Sequence, residues 1–196
     1  MSKINQDQKN LIIRTILELG LLAVLIAGDL MLKDYLYAVT SNGTKYVDVI
    51  KGFIGLTYVT NNGAGFGSFS NKTLALAVIS TIILAVIAIA LVVTIVTEAI
   101  KKKSKDGEVI ELGFMARFAL ILILAGGVAN VVDRFMAITG NYYFDGVRDF
   151  FNFEFMNFPV FNAADAYVTV GAFILIIYLI VQIFVQGSKD RKARKN

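Results

Sequence analysis

The sequence contains no cysteine and no histidine among its 196 residues. Without cysteine there is no disulfide, no thiolate nucleophile and no thiolate metal site. Without histidine the commonest general base and the commonest zinc ligand are both missing. Ser-His and Cys-His catalysis and HExxH-type zinc hydrolysis are therefore excluded, and acid–base chemistry falls first to carboxylates. Proline occurs once, at Pro159. Charge is scarce as well. Charged residues make up 17% of the chain, against about 25% in soluble domains, while 57% are hydrophobic and the mean hydropathy is +0.68.

The apolar residues are clustered, which points to a membrane and not merely to a large core. A helix needs about 20 apolar residues to cross the hydrocarbon, and four stretches qualify: 11–32, 74–97, 114–135 and 166–185. The first is too long for the apolar region of a cleaved signal peptide. It runs into Gly28-Asp29 and Lys33 without a small-x-small cleavage site, so it is read as retained. Lys and Arg in the flanking segments set orientation. Eleven lie on one side, at Lys3, Lys9, Lys101, Lys102, Lys103, Lys105, Lys189, Arg191, Lys192, Arg194 and Lys195, against six on the other, at Lys33, Lys45, Lys51, Lys72, Arg134 and Arg148. Both termini are expected in the cytoplasm, with 33–73 and 136–165 outside. This topology accounts for the basic tail without a nucleic-acid partner. No repeat, low-complexity tract or long linker divides the chain, so a single membrane-embedded domain over 1–196 is expected.

Residues 44–60, TKYVDVIKGFIGLTYVT, are rich in Val, Ile, Tyr and Thr with partial alternation, which predicts strands in a small sheet at the membrane interface. Phe150, Phe151, Phe153, Phe155 and Phe158 crowd the second outward segment, as an aromatic belt or a lipid-level substrate platform would. The expected fold class is mainly α and integral to the membrane: four transmembrane helices with a small extracytoplasmic β-sheet platform.

The informative polar residues gather at the outer ends of the four stretches. Asp29 and Lys33, four apart, share a face at the end of the first, as a local ion pair or as a scaffold for a nearby loop. Thr60-Asn61-Asn62-Gly63-Ala64-Gly65-Phe66-Gly67 reads as a turn, or as a loop whose small residues let a substrate backbone or lipid pass, with Asn61 as an anchor. The third stretch carries Gly126-Gly127-Val128-Ala129-Asn130-Val131-Val132-Asp133-Arg134. Asn130, Asp133 and Arg134 share a face, while Gly126 and Ala129 permit close helix packing. Gly146-Val147-Arg148-Asp149-Phe150 and Phe158-Pro159-Val160-Phe161-Asn162-Ala163-Ala164-Asp165 complete the set. Asn162 is a candidate N-cap with Asp165 three positions on. Capping explains that pair without catalysis but leaves Asp149 unexplained in its aromatic surroundings. By spacing alone, Asp133 and Asp149 are rival partners for Asp165.

Taken together and in order, these blocks resemble lipoprotein signal peptidase, the signal peptidase II family of aspartyl peptidases. Asp29 and Lys33 match its Asp-x-x-x-Lys, and Asn61 to Phe66 its Asn-x-Gly-Ala-Ala-Phe with Gly65 in place of the second alanine. Gly126 to Arg134 matches the block ending Gly-Asn-x-x-Asp-Arg with Ala129 for the glycine. Val147 to Phe150 matches Val-Val-Asp-Phe with Arg148 for a valine, a charge placed to perturb Asp149. Phe158 to Asp165 matches Phe-Pro-x-Phe-Asn-x-Ala-Asp throughout, and the connection from Arg134 to Asp149 is long for the family. The resemblance implies that Asp149 and Asp165 are the catalytic pair. It further implies that Asn61, Gly63, Asn130, Arg134, Asn162 and Ala164 line the site or hold substrate, and that Asp29, Lys33, Gly126 and Asp133 support it. It implies no cofactor and no metal. The implied partners are a diacylglyceryl-modified prolipoprotein, cleaved before its lipidated cysteine, and membrane lipid, in a bacterial cytoplasmic membrane. The competing class is a non-enzymatic polytopic membrane protein, a transporter or assembly subunit, whose charges would continue inward along the spans. The second stretch carries no charge and the polar set stops at one side, which favours the peptidase. The retained Asp pair argues against a degenerate homologue.

Overall fold

The computed structural model describes residues 6–41, 46–63, 73–101, 112–140 and 144–193. Ala64, Gly65, Phe66 and Gly67 of the glycine-rich loop lie outside them, as do Lys3, Lys45, Lys72, Lys102, Lys103, Lys105, Arg194 and Lys195. In chain order the elements are α1 (Gln6–Ser41), β1 (Tyr46–Ile50), β2 (Ile54–Asn61), α2 (Thr73–Lys101), α3 (Phe114–Thr139), β3 (Val147–Phe153) and α4 (Ala163–Ala193). All four helices are long and apolar enough to cross a membrane.

Many residues of α2 are β-branched, a composition that favours strands in water. In hydrocarbon every backbone group must be satisfied within the segment, so the helix wins. The helices outrun the apolar stretches. In particular α1 continues past Lys33 to Ser41, so Asp29 and Lys33 lie inside the helix and not at its end. α3 is the hub: 61% of its apolar window is buried, against 6% for α1 and α4 and 11% for α2. It packs along α4, α2 and α1, whereas α1 meets α2 and α4 only sparsely. Gly140 ends α3 in the left-handed region (φ 68°), and its N–H donates to Ala137 O at 3.2 Å.

The strands form one antiparallel sheet in the order β1-β2-β3. The hairpin turn carries Gly52 at φ 72°, a conformation that favours glycine. The strands expected within 44–60 are thus β1 and β2. The third strand, β3, arises from the aromatic segment read only as a belt or platform. Leu36, Leu56 and Phe150 form a buried cluster between the sheet and the last turns of α1, and the Tyr37 and Tyr58 rings meet edge-on at 5.1 Å. Beyond β3 the chain doubles back. Phe161 donates to Phe151 O at 3.0 Å and accepts from Phe151 N at 2.8 Å, which sets Asn162 beside β3 at the start of α4.

Candidate active site

Successive side chains of a strand point to opposite faces, and this governs β3. Asp149 turns to one face and is 1% exposed; Arg148 turns to the other. Asp149 Oδ1 accepts from Asn162 Nδ2 at 2.7 Å, and its Oδ2 accepts from Asn61 Nδ2 at 3.1 Å. Val59 of β2 pairs with Asp149, so Asn61, two residues on, lies on the same face and diagonally opposite. The Gly63 N–H donates to Asn61 Oδ1 at 3.1 Å, which orients that amide with its NH₂ toward Asp149.

Asp165 sits in the first turn of α4. Its N–H donates to Asn162 Oδ1 at 2.8 Å, and its Oδ2 accepts from the Asn162 N–H at 3.2 Å, a reciprocal cap. The capping account is therefore correct and coexists with a wider network. Asn130 Nδ2 donates to Asp165 Oδ1 at 2.8 Å, and Asn162 Nδ2 also reaches Asn130 Oδ1 at 3.1 Å. Asn162 thus contacts both carboxylates at once.

Behind this pair stands a chain of alternating charge. Lys33 Nζ lies 2.8 Å from Asp29 Oδ2, 3.0 Å from Asp133 Oδ2 and 3.0 Å from Asn130 Oδ1. Asp29 Oδ1 accepts from the Ala164 N–H at 2.8 Å, and Asp133 Oδ2 accepts from the Arg148 N–H at 3.1 Å. Those two amides belong to the residues immediately before Asp165 and Asp149, so Lys33 and its two acids fix the backbone under each. Gly126 completes the frame, because a Cβ there would collide with the Ala164 carbonyl oxygen. Asp133 is saturated: Arg148 Nη2 also reaches its Oδ1 at 2.9 Å. Arg148, expected to perturb Asp149, instead binds Asp133 and the exposed Asp34 and stacks over Phe144 at 4.4 Å, because the pleat sends it away from Asp149.

Burial pushes the Asp149 carboxyl up to about 7, aided by the charge of Asp165 and opposed by Asn61, Lys33 and Asn162. Arg134 lies within electrostatic reach of both carboxylates, and its buried Nε makes no hydrogen bond among the described residues. Together with Asn130 and Asp165 it lines a cavity of about 310 Å³ between α2, α3 and α4. Among the described residues no group of three or more acidic side chains is placed to hold a metal ion. Among the described residues, the structure brings the candidate catalytic, substrate-binding and supporting residues of the sequence reading into this one region.

A second charged cluster, not singled out from the sequence, lies at the opposite end of the bundle. Arg14 pairs with Glu98, and Arg117 pairs with Glu18 and approaches Glu98 at 3.5 Å. The expectation that polar residues stop at one side is therefore corrected. α2 extends four residues beyond its charge-free apolar stretch and so carries Glu98 into the packed bundle, where it is 3% exposed. The middle of the bundle stays apolar. An apolar stretch that ends beside a lone Glu, opposite a lone Arg on the next helix, was the available signal.

Four helices long and apolar enough to cross a membrane, holding the buried Asp149 and the half-buried Asp165 in one hydrogen-bonded network, define a multi-pass membrane protein with a candidate carboxylate site. The profile of the family described as Signal peptidase (SPase) II matches residues 21–181. The chain is 31% identical over 149 residues to a lipoprotein signal peptidase of Clostridium acetobutylicum, covering 74% of this chain and 80% of that one. It is 30% identical over 165 residues to that of Borrelia duttonii, covering 84% and 90%, and 32% identical over 157 residues to that of Streptococcus pneumoniae, covering 80% and 88%. Among solved structures, a bacterial membrane enzyme determined by the in meso method at 2.3 Å superimposes with a TM-score of 0.65 at 27% identity, covering 85% of this chain and 88% of the other. The chain belongs to the signal peptidase II family and is a multi-pass membrane peptidase.

Proposed function

We propose that this protein cleaves the signal peptide from diacylglyceryl-modified prolipoproteins just before the lipidated cysteine, with Asp149 and Asp165 as an aspartic pair. The prolipoprotein substrate follows from the names of its relatives, and the aspartic chemistry from the family and the geometry. The observation that carries the reading is Asn162, whose side-chain amide donates to Asp149 while its backbone N–H donates to Asp165, so that one residue hydrogen-bonds both carboxylates. Two such groups do not both ionise readily, and one proton stays between them near neutral pH. The ionised member draws a proton from a water, which attacks the scissile carbonyl carbon. The protonated member donates to the carbonyl oxygen, and the pair then returns a proton to the leaving amine. A proton shared by two carboxylates belongs to the pair, so neither aspartate is assigned one role. Arg134 stands where it stabilises negative charge developing on the carbonyl oxygen. Asn61, Gly63, Asn130, Asn162 and Ala164 orient the carboxylates and the peptide, while Asp29, Lys33, Gly126 and Asp133 hold the frame.

The whole chain acts as one membrane-embedded domain, with both termini cytoplasmic and the carboxylates at the extracytoplasmic face of a bacterial cytoplasmic membrane. The lipid of the substrate then stays in the bilayer while its peptide bond reaches the polar site. The test is cleavage of a synthetic diacylated prolipoprotein peptide by purified protein. Asp149→Asn and Asp165→Asn each reduce the rate by at least about 10³-fold with an unchanged melting temperature at acidic pH. Normal cleavage by Asp149→Asn together with an inert but folded Asp133→Asn would replace the pair by Asp133 and Asp165.

A further inference from the structure

Ten serine and threonine side chains are described on the four helices. Eight of their hydroxyls donate to a backbone carbonyl, nearly always one turn earlier in the same helix. Ser80 and Thr169 make no hydrogen bond among the described residues, and both line the cavity that holds Asp165 and Arg134. Apart from Asn130, whose amide is engaged by Asp165, Lys33 and Asn162, the rest of that wall is apolar, with Ile83, Leu84, Ile123 and Val168. A hydroxyl without a partner in an apolar setting is unfavourable, and back-bonding is the ready remedy. The two exceptions share the one cavity that Asp165 lines, where Ser80 is half-buried and Thr169 exposed, so both hydroxyls are open to an incoming partner.

The reaction supplies one. A peptide bond is cut in an extended segment, whereas a signal peptide lies in the bilayer as a helix. Near the scissile bond the helix has to unwind, which leaves amide N–H and C=O groups bare in hydrocarbon. A hydroxyl both donates and accepts, so it satisfies either kind. Thr169 follows Asp165 by four residues, on the same face of α4 and about 6 Å deeper. At about 3.3 Å per extended residue, that depth corresponds to about two residues of substrate. We propose that Ser80 and Thr169 hydrogen-bond the unwound signal-peptide backbone about two residues before the scissile bond and so select the extended conformer. This rests on the peptidase reading above and adds two substrate-binding residues to it.

The test uses the full chain in lipid vesicles and two synthetic diacylated prolipoprotein peptides. They differ only in an amide or an ester at the linkage two residues before the scissile bond. Ser80→Ala and Thr169→Val each lower kcat/KM on the amide peptide by about fivefold, and the double variant by about 25-fold. The ester lowers kcat/KM for the unmodified protein but costs the double variant nothing further, a coupling that a merely structural role would not produce. The hydroxyl-retaining pair Ser80→Thr and Thr169→Ser keeps both activity and ester sensitivity. Wild-type kcat/KM in the double variant, or an equal ester penalty in both proteins, overturns the assignment. Failure of the unmodified protein to cleave either peptide, or full activity in Asp165→Asn, overturns the peptidase reading instead.

Discussion

Two clusters of charge, one at each end of the bundle, solve the burial problem differently. At the basic end two cations and two anions from α1, α2 and α3 neutralise one another: Arg14 and Arg117 against Glu18 and Glu98. At the other end, leaving aside the exposed Asp34, four carboxylates (Asp29, Asp133, Asp149, Asp165) face three cations (Lys33, Arg134, Arg148). The first network is electrically complete and holds helices together. The second has one carboxylate in surplus, and the surplus keeps a proton. The candidate site is the end where charge is buried without full compensation.

Removing the central cation is the strongest way to break this contrast. Lys33→Met strips Asp29 of its cation and leaves Asp133 with Arg148 alone. Stability is expected to fall by about 3–5 kcal/mol, and cleavage to become undetectable, as read by thermal melting in detergent and by peptide turnover. A variant with wild-type melting and turnover would deny the outer network its scaffold role. Arg117→Met sharpens the contrast from the balanced end. The expected loss of stability is again about 3 kcal/mol, but kcat per folded molecule stays within twofold. A tenfold drop in kcat would mean that the two ends are coupled.

The subtlest effect is in pH. The fold raises the Asp149 carboxyl from 3.8 to about 7. Between those values the folded protein retains a proton that the unfolded chain has released. The stability this contributes is complete below pH 4 and is lost as pH rises through about 7. Melting of the native protein relative to Asp149→Asn should therefore decline over that window, and turnover should fall above it as the shared proton departs. Parallel melting curves across the window would show that the two forms of the carboxyl are equally accommodated.

The membrane helices were legible because hydrophobic length is a one-dimensional property. The sites were legible in proportion to how local they are. Asn162 and Asp165 read as a cap because capping spans three residues, and the structure forms that cap. The choice between Asp133 and Asp149 was not legible from spacing. It depends on a strand pleat and on Lys33 and Arg148 converging on Asp133 from two other elements. Family resemblance supplied that choice. Arg148 was misjudged for the same reason: adjacency along the chain suggested influence on Asp149, whereas β3 points the two side chains apart. Had 147–153 been read as a strand, period two would have separated them. The cluster of Arg14, Glu18, Glu98 and Arg117 stayed hidden because its members come from three helices, and no sequence window contains them all.

One helix, α3, contributes to both ends. Arg117 and Asp133 are sixteen residues apart on it, a rise of about 24 Å, somewhat less than the roughly 30 Å of a typical hydrocarbon layer. The protein thus carries its own depth gauge, with an ionic collar at each mark. Lipids with longer acyl tails must thin around it. The gauge, and not the incoming polypeptide, then sets how far from the bilayer midplane the cluster of Asp29, Lys33 and Asp133 stands.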